Sequence, residues 1–115
     1  MKFAHRIENG IYVIYPEGNL MTGSVEKLYA YIGNSLGNEV IKGFLVNLKD
    51  VIYIDSTGLG AIVFLYKKYL KHQIRVFLCN ADENIWQIFN VSELDKIISL
   101  YDTEQQALTA FVSTD

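Results

Sequence analysis

The sequence predicts an α/β domain: a mixed, mostly parallel sheet of about five strands flanked by about four helices. Three observations carry this expectation. Asn9-Gly10 separates two short runs near the N-terminus, the strongest two-residue hairpin signal, so the first strand pair is antiparallel. Beyond it, apolar runs of strand length alternate with apolar stripes spaced i, i+3, i+4 and i+7, which places helices between later strands and makes those strands parallel. The run at 43–48, Gly-Phe-Leu-Val-Asn-Leu, is apolar nearly throughout, as in strands covered on both faces.

The elements follow in order. Residues 3–8 and 11–16 form the hairpin; Ile11-Tyr12-Val13-Ile14-Tyr15 lies inside the sheet, and Pro16 with Gly18 ends it. Val25, Leu28, Tyr29, Ile32 and Leu36 mark a first helix that stops at Gly37-Asn38. Residues 43–48 are the third strand. Leu59, Ile62, Val63, Tyr66 and Leu70 form the apolar stripe of a second helix. Residues 74–79 are the fourth strand, Asp82 to Phe89 a third helix, and Ile97 to Leu100 a short fifth strand. Asp102-Thr103-Glu104-Gln105 has capping-box form and starts a last helix carrying Leu108 and Phe111. No repeat, linker or low-complexity segment interrupts the chain, which reads as one domain over residues 1–115.

Bulk properties narrow the function. A chain of 115 residues is long enough to bury about two thirds of its unfolded surface, and only the polar tail Ser113-Thr114-Asp115 looks disordered. A net charge of −3 argues against nucleic acid as a main partner, since phosphate binding needs a basic footprint. Lys67, Lys68, Lys71 and His72 read as the end of a helix, where cations suit the macrodipole. The single cysteine, Cys79, excludes an internal disulfide, fits a reducing compartment and reads as a buried small hydrophobe. Met1 to Arg6 lacks the apolar core of a signal peptide. The longest uninterrupted apolar run, Ala61 to Tyr66, falls far short of the ~20 residues of a membrane span. A soluble, cytoplasmic protein with no membrane partner is expected.

Asp55-Ser56-Thr57-Gly58-Leu59-Gly60 stands out at the start of the second helix. Asp55 or Ser56 suits a helix cap, accepting bonds from the free amides of the first turn. The glycines are harder to explain, because each costs a helix about 1 kcal/mol relative to alanine. Glycine permits close approach of another group, and an outward-facing first turn would leave that space to a partner, so that bulk at Gly58 would disturb binding more than folding. Enzyme chemistry finds no support. Ile54-Asp55-Ser56-Thr57-Gly58 is not a Gly-x-Ser-x-Gly elbow. His5 sits in a strand and His72 at a helix end, neither placed as a base. No phosphate-cradling Gly-x-x-x-x-Gly-Lys loop and no metal-ligand spacing occur, and Asp82, Glu83, Glu93 and Asp95 read as caps and solvated positions. No cofactor is expected.

The segment VNLKDVIYIDSTGLGAIVFLYKKY closely resembles the central motif of STAS domains of the bacterial anti-sigma-factor antagonist family. The similarity extends to EGNL after the second strand, NVSELDKII before the fifth and TEQQAL in the last helix. The resemblance implies a small mixed sheet with flanking helices and places a phosphorylation site on Ser56, with Thr57 the fallback acceptor. It also implies partner switching: the unmodified protein binds an ATPase-type anti-sigma factor that is also its serine kinase, phosphorylation releases it, and a serine phosphatase resets it. The expected contact surface comprises Asn19, Met21, Asp55, Ser56, Thr57, Gly58, Leu59 and Gly60. Met21 stands where many family members carry an acidic residue, which implies a more apolar partner contact or a different partner. The alternative is a STAS-type interaction or ligand-sensing module that phosphorylation does not regulate.

Overall fold

β1 (Lys2–Glu8) and β2 (Ile11–Leu20) form the expected hairpin, and Asn9 and Gly10 turn it with φ values of 51° and 82°, the positive pair that a type I′ turn requires. The structure, a computed structural model, describes residues 1–113. Thr114 and Asp115, in the tail expected to be disordered, lie outside the described residues.

β2 does not end at Pro16. It continues to Leu20 because its two halves serve different parallel neighbours: Ile11–Ile14 pair with β3 (Gly43–Asn47) and Gly18–Leu20 with β4 (Val51–Ile54). Pro16 falls between the two parallel pairings, where its missing N–H interrupts neither. β4 is a strand that the sequence pattern hides. Val51 and Ile54 are buried while Ile52 and Tyr53 are exposed, a spacing of three instead of two. The cause is a bulge: Gly18 pairs with Val51 and Asn19 with Tyr53, leaving Ile52 as the extra residue.

α1 (Val25–Leu36), α2 (Ser56–Leu70), β5 (Arg75–Cys79), α3 (Glu83–Val91), a 3₁₀ turn (Leu94–Lys96), β6 (Leu100–Tyr101) and α4 (Glu104–Ser113) complete the chain. The sheet order is β1-β2-β3-β5-β6, with β4 joined to the far end of β2. The sheet has six strands, in keeping with the expected count of about five, and the last is displaced from 97–100 to Leu100–Tyr101. The displacement follows from the 3₁₀ turn, which Glu93 enters with φ 63°; it leaves Ile97 57% exposed while Ile98 is buried.

Side-chain alternation sorts the core onto the two faces of the sheet. Tyr12, Ile14, Phe44, Val46, Val76 and Leu78 pack with Leu28, Ile32, Ile62, Leu65, Ile85 and Phe89 of α1, α2 and α3. Ile11, Val13, Leu45, Phe77 and Cys79 face Ala107, Leu108 and Phe111 of α4. The apolar stripe of α2 is rotated from the expected one. Its buried residues are Gly58, Ala61, Ile62, Leu65 and Tyr69, whereas Leu70 is 46% exposed, because Tyr69 rather than Leu70 stacks on Phe44. Cys79 is buried as expected, and burial with the nearby Glu104 carboxylate pushes its thiol up to about 12.

α4 is capped by Thr103 and Gln106, not by the Asp102–Gln105 pair. The Thr103 hydroxyl accepts from the Gln106 amide, while Gln106 Oε1 accepts from the amides of Asp102 and Thr103. Glu104 is thereby free to turn towards the sheet, where it accepts from Arg6, from the Tyr15 hydroxyl at 2.7 Å and from the side-chain Nδ2 of Asn47 at 3.0 Å. Asn47 is buried, and its own Oδ1 accepts from the Lys49 amide. This network ties α4 to β1, β2 and β3.

Burial opposes ionisation of Glu104, but the bonds from Arg6, Tyr15 and Asn47 outweigh it and hold the carboxyl below its ordinary value. A depressed folded-state value contributes stability that is fully present above the unfolded value of about 4.3 and is lost as pH falls through the folded value. Glu104→Gln should therefore lower stability at pH 7 by about 1–2 kcal/mol, and the gap to wild type should close as pH drops below about 4. Thermal unfolding followed across that range checks both statements; a gap that stays constant would exclude the Glu104 charge as the cause.

Candidate functional site

The expected contact residues come from two segments that the fold brings side by side. β2 ends at Leu20 and β4 at Ile54, and the parallel pairing of Leu20 with Ile54 sets the start of α2 against the loop that leaves β2. The Leu20 carbonyl accepts from the Asp55 amide at 3.2 Å. Asp55 then caps α2: its backbone is extended, and Oδ1 accepts from the Gly58 amide at 2.9 Å. Its other oxygen, Oδ2, lies 3.4 Å from the Thr22 amide, and the Thr22 hydroxyl donates to Thr57 Oγ1 at 3.1 Å. The cap, the loop and the first turn are thus bonded to one another.

Ser24 braces the loop from beneath. Its buried hydroxyl accepts from the Met21 amide at 2.8 Å and shares its proton between the carbonyls of Asn19 and Met21. A serine at this position resembles a helix cap in sequence, but here it holds the preceding turn and makes no side-chain cap bond to α1. Nothing in the apolar periodicity signals this role.

Ser56 is the first residue of α2 and is exposed, and its hydroxyl has no hydrogen-bond partner among the described residues. Asp55, not Ser56, is the cap, so the serine is not needed to hold the helix. Asn19 and Thr57 are exposed, and Met21, Asp55 and Leu59 are half-buried. No acidic side chain occupies the first turn, and within 51–66 the only Asp, Glu, Lys, Arg or His is Asp55.

The two glycines separate. Gly58 does not face outward: it is buried, and a Cβ placed on it would stand 2.2 Å from the Leu20 carbonyl oxygen and 2.9 Å from Ile54 Cγ2. Close approach is its purpose, but the approaching group is the domain's own backbone. Gly60 is exposed, and a Cβ there would meet nothing within 4 Å. Gly60, alone of the pair, leaves open space on the surface.

Two side chains outside the expected set border the site. The bulge in β4 turns Ile52 and Tyr53 outward, 72% and 50% exposed, with Tyr53 opposite Asn19 on β2. Both belong to an unbroken apolar run in the sequence, and only the pairing with β2 separates its inward from its outward residues. Among the described residues no cluster of three or more metal-ligating side chains forms, and no helix is long and apolar enough to cross a membrane.

This architecture, with three helices on one sheet face, one on the other and a glycine-packed helix start, is that of a STAS-type α/β domain. The chain belongs to the STAS domain family, whose model matches residues 2–107. It is 24% identical over 100 residues to the anti-sigma F factor antagonist of Paenibacillus polymyxa, covering 87% of this chain and 86% of that protein. Its fold matches TM1081 of Thermotoga maritima with a TM-score of 0.87 at 23% identity, over 95% of this chain and 93% of that one. It also matches the Bacillus antagonist SpoIIAA in its unphosphorylated form (TM-score 0.73, 19% identity, 98% and 100% coverage) and its phosphorylated form (0.70, 21%, 95% and 98%).

The glycines supply a direct test of this geometry. Gly58→Ala should destabilise the fold by at least about 2–3 kcal/mol, since backbone must move to admit the methyl group. Gly60→Ala should instead stabilise it by about 0.5–1 kcal/mol, the ordinary helical preference at an exposed position. Chemical denaturation of the two variants distinguishes them; equal effects would contradict the packing of α2 on Leu20.

Proposed function

We propose that this domain is a phosphorylatable anti-sigma-factor antagonist that works by partner switching. With Ser56 unmodified it binds an ATPase-type anti-sigma factor that is also its serine kinase. Phosphorylation of Ser56 releases that partner, and a serine phosphatase restores the binding form, all in the cytoplasm. The domain is a kinase substrate and has no catalytic role of its own. The observation that carries the reading is the exposed Ser56 hydroxyl, free of intramolecular bonds among the described residues, at the start of a helix whose cap and neighbouring loop are already satisfied.

Physical chemistry supports a switch at this position. A phosphate adds roughly −1.5 to −2 charges, and a helix N-terminus tolerates an anion, so the fold accommodates the modification. SpoIIAA is known in unphosphorylated and phosphorylated forms, and this chain has the fold of both. A partner closing over Ser56 would meet a different environment. The expected contact residues Asn19, Met21, Leu59 and Gly60 carry no charge, and neither do the exposed Ile52 and Tyr53 on β4; a charge buried in such a contact without a counter-ion costs on the order of several kcal/mol. Thr57 is the second choice of acceptor because its hydroxyl is engaged by Thr22. Gly58 belongs to the fold and drops out of the contact surface.

Ser56→Ala should abolish labelling by the cognate kinase while leaving binding intact. Ser56→Asp should weaken that binding at least about tenfold, equivalent to about 1.4 kcal/mol, with folding unchanged or slightly stabilised by the helix dipole. Calorimetric titration of the three proteins against the kinase decides the matter. Equal affinity for all three would reject the charge switch and leave a STAS interaction module that phosphorylation does not control.

A further inference from the structure

The two ends of the β1-β2-β3-β5-β6 path differ. β6, at one end, is only two residues long, too short to template another strand. β1, at the other, runs for seven residues without proline or bulge and pairs only with β2 among the described residues. The hairpin turn closes on the pair Glu8–Ile11, which in a two-residue loop is hydrogen-bonded, so Lys2, Ala4, Arg6 and Glu8 direct their backbone bonds to β2. The N–H and C=O groups of Phe3, His5 and Ile7 therefore point away from β2, and no loop or cap bonds them among the described residues.

We infer that this edge pairs antiparallel with the same edge of a second copy of the chain, about a two-fold axis at His5. In that register Phe3 stands opposite Ile7 of the second copy on one face. On the other face Lys2 stands opposite Glu8 of the second copy, and both pairs occur twice by symmetry. Lys2 makes no ion pair among the described residues, although Glu17 stands across from it on β2. Glu8 bonds Arg6 through Oε1, leaving Oε2 for the lysine of the second copy. His5 sits on the axis with its ring held by the Tyr31 hydroxyl and stacked on Tyr12 of its own chain.

The same charges oppose the neighbouring registers. Moving the axis to Ala4 sets Lys2 against Arg6 of the second copy, and moving it to Arg6 sets two arginines face to face. Like charges directly opposite destabilise a strand pair, so of these three registers, which overlap most of the strand, only the His5-centred one avoids such a clash. Charged edge residues ordinarily keep strands apart; here their order makes them complementary to themselves. A contact of one strand is small, so the dimer belongs to the weak, concentration-dependent class.

Sedimentation velocity on the full chain, from about 10 μM to about 1 mM, tests the proposal. Wild type should shift from monomer towards dimer across that range. Lys2→Glu and Glu8→Lys should each weaken self-association at least about tenfold, because each sets like charges across the axis twice. An equimolar mixture of the two variants should associate again, since opposite charges then meet at both positions. Thermal unfolding of each variant verifies that the fold is intact. A wild type that stays monomeric throughout, single variants that associate as wild type does, or a mixture of folded variants that fails to recover would each overturn the inference.

Discussion

The Leu20 carbonyl organises the start of α2 and the loop that leaves β2. It accepts the Asp55 amide and lies against Gly58, where a methyl group would overlap it. A side chain at Gly58 would push α2 outward, break the bond to Asp55 and release Thr22 from the cap. The position of Ser56 is therefore set by backbone contacts, not by its own side chain. This separation has a physical consequence: a hydroxyl that holds nothing in place can be modified without disturbing what positions it.

The two faces of the sheet divide the work. On one, α1, α2 and α3 pack over a continuous apolar layer that includes Tyr12, Phe44 and Phe89. On the other, α4 covers a smaller cluster and is anchored at its N-terminal end by a polar network instead of by area alone. Glu104, Arg6, Tyr15 and Asn47 satisfy one another, which is the condition under which a half-buried charged group stabilises a fold instead of straining it. The network joins residues far apart in sequence, so the anchorage of α4 depends on β1, β2 and β3 together.

The outline of this fold was legible because hydrophobic spacing and turn chemistry report directly on secondary structure. Asn9-Gly10, the buried 43–48 strand and the four helices all follow from them. The unread features share one cause, which is that they depend on pairing between distant segments. β4 is invisible without its partner on β2, since a bulge breaks the alternation that would reveal it. The true face of α2 depends on Phe44 receiving Tyr69. Gly58 and Gly60 look equivalent in sequence, and only the position of Leu20 makes one a packing residue and the other open surface. The capping box reads as Asp102–Gln105 in sequence, but it forms between Thr103 and Gln106, and Glu104 turns to the sheet. At the candidate site, the motif located the helix start, but not the exposed Ile52 and Tyr53 beside it.

The bulge at Ile52 also sets where the chain can change length. Removing that residue would leave Val51 inward, Tyr53 outward and Ile54 inward, an uninterrupted alternation still in step with β2. The segment ahead of the helix can thus lose one residue without reversing the parity of the strand beyond it. From Asp55 to Gly58 no such slack exists, because the cap and the glycine must reach their targets on the same turn. Loss of one residue is accordingly compatible with the pairing ahead of Asp55 and incompatible with the cap just beyond it, within a few residues of each other.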